Sequence, residues 1–151
     1  SAASDVYKRQ LLHSVEKDFS SHPSSGNNQL VLTIQPDLPE ISADPERLIQ
    51  VVTNLISNAE RHTRNGIITI SLTGEPGWQT ICVSDTGTGM SEEMRKNALK
   101  GYVSADKDYW RHGIGLYVCH QIITAHGGKI WLKSKEGEGT QVFFSLPEEE
   151  S

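Results

Sequence analysis

Residues 44–63, DPERLIQVVTNLISNAERHT, decide the fold: the pattern is that of one long helix, yet two asparagines and an arginine interrupt its apolar run. Asp44 before Pro45 gives an N-cap followed by a proline at the first helical position, and no breaker follows until Arg64-Asn65-Gly66. At about 100° per residue, Leu48, Val51, Val52, Leu55 and Ala59 share one broad face. Arg47, Gln50, Asn54, Asn58 and Arg61 form a second stripe beside it, so the asparagines are expected on a polar edge outside the core. Taken alone they fit a solvated helix face. Asparagine in mid-helix nevertheless costs a few tenths of a kcal/mol relative to alanine. Amide oxygens are also neutral hard donors suited to Mg²⁺, which keeps most of its waters and shares its remaining sites with phosphates.

Working outward, apolar positions from Val6 to Phe19 recur near helical spacing and predict a helix ended by SSHPSSGNN. Residues 1–10 carry no cap or periodicity of their own, and a non-native start is one reading of them. QLVLTIQ alternates as a strand, and GIITISLTG and WQTICVSD read as a hairpin across EPG. A short helix is expected over 91–99, then a loop over KGYVSADKDYWRHG of the length found in lids. An almost wholly apolar helix over 113–126 is expected beneath a sheet, stopped by Gly127 and Gly128. KIWLKSK and TQVFFSLP form a last hairpin across EGEG, and EEES reads as a solvated acidic tail. Strands that arrive in antiparallel pairs exclude a doubly wound sheet. The expected architecture is an α/β (α+β) two-layer sandwich: a mixed, mainly antiparallel sheet of about five strands with about three helices on one face. Its organisation is an N-terminal helix and loop over 1–28, the main domain over 29–147 and a tail over 148–151.

The composition excludes several classes of function. With 151 residues and 36% hydrophobic content the chain fits one ordinary globular domain, and a net charge of −5 leaves no general basic field for nucleic acid. No segment has the eighteen or so apolar residues of a membrane span. Cys82 and Cys119 lie in apolar contexts without metal-ligand spacing and read as reduced, buried thiols. His112, His120 and His126 make no ligand set with an acidic partner, so no structural metal is expected. No G-x-S-x-G hydrolase signature is present.

Three further stretches can carry chemistry. In ICVSDTGTGM, Asp85 continues the row of Ile81 and Val83 at a strand end, where a carboxylate needs a partner. It fits a turn before glycine, and equally an acceptor for the amino group of a flat ligand, with Gly87 and Gly89 admitting close backbone approach. In RHGIGL, Gly113 and Gly115 open a helix whose bare N–H groups suit a phosphate, or simply let the helix pack tightly. EGEGT is a hairpin loop, from which Thr140 can orient a water or ligand.

In order and spacing these segments resemble the boxes of the GHKL ATPase superfamily, the Bergerat ATP-binding fold, and most closely the catalytic domain of bacterial sensor histidine kinases. DPERLIQVVTNLISNAERHT resembles the N box, DTGTGM the first glycine box, HGIGL the second and GEGT the last, a likeness covering residues 30–147. The resemblance implies ATP and Mg²⁺ as cofactors, with Asn58 as the metal-binding asparagine and Asn54 supporting the metal-phosphate site. Arg61 stands where a phosphate-contacting lysine is usual, and His62 holds the neighbouring place that in the family often lies against the nucleotide. Asp85 would receive the adenine amino group, aided by Thr140 through water, with Gly87 and Gly89 bordering the base. Gly113, Ile114, Gly115 and Leu116 would present amides to the phosphates beneath an ATP lid, to which Lys107 brings a cation. Two features depart from the pattern: Arg111 replaces a glycine, and the phenylalanine-rich box is absent, with Tyr102 its one aromatic candidate.

Hydrolytic relatives such as DNA gyrase carry a glutamate base four residues before the metal asparagine, where this chain has Asn54. A carboxamide cannot take a proton from water, so the resemblance implies phosphoryl transfer. His13 lacks the proline of an acceptor motif. The implied acceptor is therefore a histidine on separate dimerisation helices of a larger parent, with a response regulator downstream. This stretch is expected to be a monomeric cytoplasmic domain, without membrane contact of its own, of a parent anchored in the bacterial cell membrane. The alternatives are an anti-sigma-factor-type serine kinase and a non-catalytic nucleotide-sensing module.

Overall fold

The computed structural model describes residues 12–17, 27–100 and 107–149, with backbone alone over 107–114. The elements are α1 (12–17), β1 (Gln29–Ile34), α2 (Pro45–His62), β2 (Ile67–Glu75), β3 (Trp78–Asp85), α3 (Glu92–Asn97), α4 (Lys107–Ala125), β4 (Lys129–Lys135) and β5 (Gly139–Pro147). The expected helix over 6–19 is observed across 12–17, and its remainder lies outside the described residues. Asp44 caps α2 by accepting a hydrogen bond from the Glu46 amide at 3.0 Å, and Pro45 takes the first turn as its fixed φ requires.

The five strands run in the order β1-β2-β3-β5-β4. β1 and β2 are parallel, and every other pair is antiparallel. A parallel pair needs a long crossover, and α2 is that crossover. The register aligns three rows across the inner face. Ile34, Leu72, Ile81, Phe144 and Ile130 form one, and Leu32, Ile70, Val83, Val142 and Leu132 the next. The third begins with Leu30 and Ile68 and continues as Asp85, Thr140 and Ser134, so one row turns polar halfway across the sheet.

Helices cover that inner face. α2 packs on β2 and β3, α4 packs on β4 and β5, and the two helices pack on each other. Val51, Val52, Leu55 and Ala59 of α2 meet Leu116, Cys119 and Ile123 of α4 and the two apolar rows in one core, joined by Leu12 and Val15 of α1. The opposite face is open, with Val31, Gln141 and Trp131 exposed. There Trp131 stacks on Phe143 at 5.4 Å between centroids, and Lys133 lies 5.6 Å from the Phe143 ring.

One expectation needs correction. α4 starts at Lys107, so the loop expected up to residue 112 is helical from 107 onward. The reason is chemical: residues 107–112 contain no proline or glycine to break a helix, and mixed polarity hides the period without preventing the helix. α4 lies beneath β4 and β5 as expected, with Tyr117, Gln121 and Thr124 facing outward. The acidic tail begins tied down. The Glu148 carboxylate accepts from the Gly77 amide and the Gln79 side chain, each at 3.1 Å.

Cys82 and Cys119 are free and buried. Burial pushes their thiols up to about 11 and about 12 respectively. Reaction with a soluble disulfide reagent at pH 8 should therefore proceed only as the protein unfolds, and rapid modification of folded protein would contradict this packing. Phe144→Ala, at the centre of the inner face, should cost about 3–5 kcal/mol in urea unfolding. Trp131→Ala, at a side chain 38% exposed on the open face, should cost far less. Equal losses would mean that the helices cover the other face.

Candidate functional site

The site begins where the third inner row becomes polar. Asp85 ends β3 at 8% exposure, opposite Ile68 on one side and Thr140 on the other. Its Oδ1 accepts two backbone hydrogen bonds, from Gly87 at 2.9 Å and Thr140 at 3.2 Å. Thr140 Oγ1 lies 2.8 Å from Ser134 Oγ, which also accepts from the Met90 amide at 2.8 Å. Burial raises the Asp85 pKa above its ordinary 3.8, against the lowering effects of the two amides and the Thr63 hydroxyl. That hydroxyl is itself buried and makes no hydrogen bond of good geometry. A carboxylate in this setting is fixed in place and only partly compensated, which makes it a ready acceptor for a ligand's N–H group.

Backbone contacts around Asp85 account for the glycine pattern. A Cβ on Gly87 would lie 2.2 Å from the His62 carbonyl oxygen, at the end of α2. One on Gly89, at φ +72°, would meet the Lys135 carbonyl at 2.1 Å, and one on Gly139, at φ +94°, the Asp85 carbonyl at 2.1 Å. Any side chain at the three positions would force these segments apart. Hydrogen bonds follow the same paths: the Thr88 amide donates to the His62 carbonyl at 3.0 Å, and the Gly137 amide to the Thr88 carbonyl at 2.8 Å. The close approach expected of Gly87 and Gly89 toward a flat ligand is, in this structure, an approach to the protein's own backbone.

The stripe on α2 divides along its length. Arg47 and Gln50 pair with one another at 2.8 Å in solvent. Asn54 is half-buried and lowers the Cys119 thiol of α4, which burial holds high and which itself donates to the Val51 carbonyl at 3.7 Å. Asn58 is only 6% exposed, which corrects the expectation that both asparagines lie outside the core. The wheel treats α2 as an isolated helix, whereas in the fold other elements pack against it and the stripe is out of water at Asn58. Arg61 is exposed, and His62 is half-buried at the helix end. The structure thus gathers Asn54 and Asn58 toward the interior, and His62, Asp85, Gly87 and Thr140 around the end of β3.

The second glycine box is placed differently from the expectation. Gly113, Ile114, Gly115 and Leu116 lie within α4 rather than at its start, because the helix runs on from Lys107. Leu116 is fully buried in the core. Lys107 is the first residue of α4, and Tyr102 lies outside the described residues.

Among the described residues, no three His, Cys, Asp or Glu side chains form a metal cluster. The fit to Mg²⁺ is that of a weak protein site: one buried carboxamide, Asn58, and no carboxylate beside it in the stripe. A metal held so would take most of its ligands from phosphate and water.

Sequence reasoning missed three residues. Asn28 ties the α2 end to β1, its Nδ2 donating to the Thr63 carbonyl at 2.8 Å and its Oδ1 accepting from the Gly66 amide at 3.0 Å. Thr63 and Ser134 adjoin Asp85 and Thr140. The signal for Ser134 was available, since a serine breaks the apolar alternation of KIWLKSK on its inner face.

Because the folded carboxyl of Asp85 has a raised pKa, its ionised form costs stability at neutral pH. That cost vanishes as pH falls through the folded value toward the ordinary 3.8. Asp85→Asn keeps an oxygen acceptor for both amides. It should leave the ligand-free protein as stable as wild type or more so at pH 7, with the difference shrinking as pH falls toward 3.8. A variant less stable at pH 7 in thermal denaturation would contradict the assigned surroundings.

Comparison with known proteins agrees with this geometry. The family described as histidine kinase-, DNA gyrase B- and HSP90-like ATPases matches residues 43–150. The adaptive-response sensory kinase SasA of Synechococcus elongatus is 36% identical over 147 residues, 95% of this chain and 38% of the relative. SasA of Microcystis aeruginosa is 38% identical over 118 residues, 76% of this chain and 31% of the relative. This chain therefore spans well under half the length of those relatives. Among solved structures, the nucleotide-free catalytic domain of the histidine kinase ThkA superposes with a TM-score of 0.79 at 27% identity, covering 93% of this chain and 91% of that one. ThkA in complex with the response regulator TrrA superposes with a TM-score of 0.75 at 26% identity, covering 93% of this chain and 40% of that one. The chain belongs to the family of histidine kinase-, DNA gyrase B- and HSP90-like ATPases, and is built as a histidine kinase catalytic domain.

Proposed function

We propose that this chain binds Mg·ATP and transfers its γ-phosphoryl group to a histidine on dimerisation helices elsewhere in its parent. The observation that carries the reading is the buried Asp85 carboxylate, held by two backbone amides at the polar end of an otherwise apolar sheet row. With Oδ1 engaged by the protein, we assign Oδ2 to the exocyclic amino group of adenine, and Thr140 to a water beside it. Asn58, with Asn54 one turn away, faces the phosphates and the metal, and Arg61 and His62 extend that edge. Mg²⁺, when bound, supplies neutralisation of the phosphate charge and alignment of the transferring group. Gly113, Ile114, Gly115 and Leu116 serve the phosphates if the first turns of α4 open, and two glycines ease that opening by about 1 kcal/mol each relative to alanine.

Transfer to histidine suits the absence of an acid-base residue at Asn54. A neutral imidazole nitrogen attacks with its own lone pair, the bond from the γ-phosphorus to the bridging oxygen breaks, ADP leaves, and the ring proton passes to solvent. Water would need a base, and a carboxamide offers none. The protein positions the donor and excludes competing water.

A response regulator downstream is proposed on the likeness to ThkA, which is solved with one. Free cysteines support a reducing, cytoplasmic setting. Among the described residues no helix is long and apolar enough to cross a membrane, so an anchored parent would carry its anchor elsewhere.

Millimolar ADP with Mg²⁺ should raise the melting temperature by several degrees. Asn58→Asp should shift the Mg²⁺ dependence of binding more than the preference for adenine. With labelled ATP, the domain should phosphorylate helices from its own parent. Tight nucleotide binding without any transfer would identify a sensing module instead, and no binding would remove the nucleotide reading altogether.

A further inference from the structure

The hydroxyl of Ser134 on β4 stands at the far end of the Asp85 row and makes three contacts. It accepts from the Met90 amide at 2.8 Å, donates to the Gly139 carbonyl at 3.1 Å, and lies 2.8 Å from Thr140 Oγ1. A serine hydroxyl has one proton and two acceptor positions. Given to the Gly139 carbonyl, which can only accept, that proton leaves Ser134 Oγ to accept from both the Met90 amide and the Thr140 hydroxyl. All three contacts are then satisfied. Given instead to Thr140, it leaves the Gly139 contact without a proton.

We propose that Ser134 is a specificity-determining positioning residue. By accepting the Thr140 hydroxyl's hydrogen bond, it turns the Thr140 lone pairs toward the water beside the Asp85 carboxylate. The inference rests on the adenine-nucleotide reading and adds the polarity of its second group. Thr140 and Asp85 then both accept from the water between them, which uses its two protons and leaves only its lone pairs for the base, an arrangement that suits an amino group and opposes a carbonyl. A base with a carbonyl at that position would need one of those protons. The Met90 contact joins the same hydroxyl to the end of the first glycine box, so one side chain ties Thr140 to that box.

The test compares ADP with inosine diphosphate, which replaces the amino group by a carbonyl, each with Mg²⁺ in calorimetric titrations of the folded chain. Ser134→Ala should lower the preference for ADP by roughly three- to tenfold, the worth of one hydrogen bond. Ser134→Thr, which keeps the hydroxyl, should retain the preference. Ser134→Cys, with weak hydrogen bonding at similar volume, should lose it and serves if the alanine variant does not fold. Thr140→Val should lose the same preference, and combining it with Ser134→Ala should add little, because both changes remove one interaction. Equal weakening of both nucleotides in the Ser134 variants would reduce Ser134 to a structural role and overturn the proposal while leaving the nucleotide reading intact. A wild-type chain that binds neither nucleotide would overturn the nucleotide reading itself, and the proposal with it.

Discussion

The structure depends on three backbone segments meeting with no side chain between them. The end of α2 at the His62 carbonyl, the end of β3 at the Asp85 carbonyl and the turn after Lys135 converge on Gly87, Gly139 and Gly89. Each contact is too close for a Cβ, and at Gly89 and Gly139 the backbone also takes a positive φ that L side chains rarely adopt. This packing links the first and last glycine boxes. It holds the strand end against the helix end, and so brings Asp85 to within reach of the α2 edge. Side chains at these three positions would push the Asp85 carboxylate away from the end of α2.

The sheet then decides what that convergence can bind. Two inner rows are apolar from β1 to β4 and form the core with α2 and α4. The third is apolar for two strands and polar for three, ending in Asp85, Thr140 and Ser134. A flat ligand at this end would meet an apolar floor and a short polar edge, the surroundings we assign to a nucleobase. Core and site are therefore one surface, and the site is the part of the inner face where the sequence stops supplying hydrocarbon.

Much of this was legible in the residues. The strands alternate cleanly because one face of the sheet is open to water, which leaves a period of two in the sequence. α2 announced itself through Asp44 and Pro45. Asp85 was visible as a carboxylate continuing the row of Ile81 and Val83. The start of α4 was not visible, since no proline, glycine or apolar period marks Lys107. The burial of Asn58 is not readable from the sequence, because a wheel for one helix cannot contain the elements that pack against it. The glycines were recognised as places of close approach, but the partner is the chain's own backbone, distant in sequence and joined only by the fold. Ser134 gained meaning only once the register set it beside Thr140.

The proposed adenine nucleotide occupies the inner face between the end of β3 and the edge of α2, where amide chemical shifts followed by NMR as Mg·ADP is added can detect it. The largest changes are expected at Gly87, Gly89, Thr140 and Asn58, with the open face around Trp131 and Gln141 almost unmoved. Changes centred on the open face, or saturating shifts that spare Gly87 and Thr140, would contradict this placement.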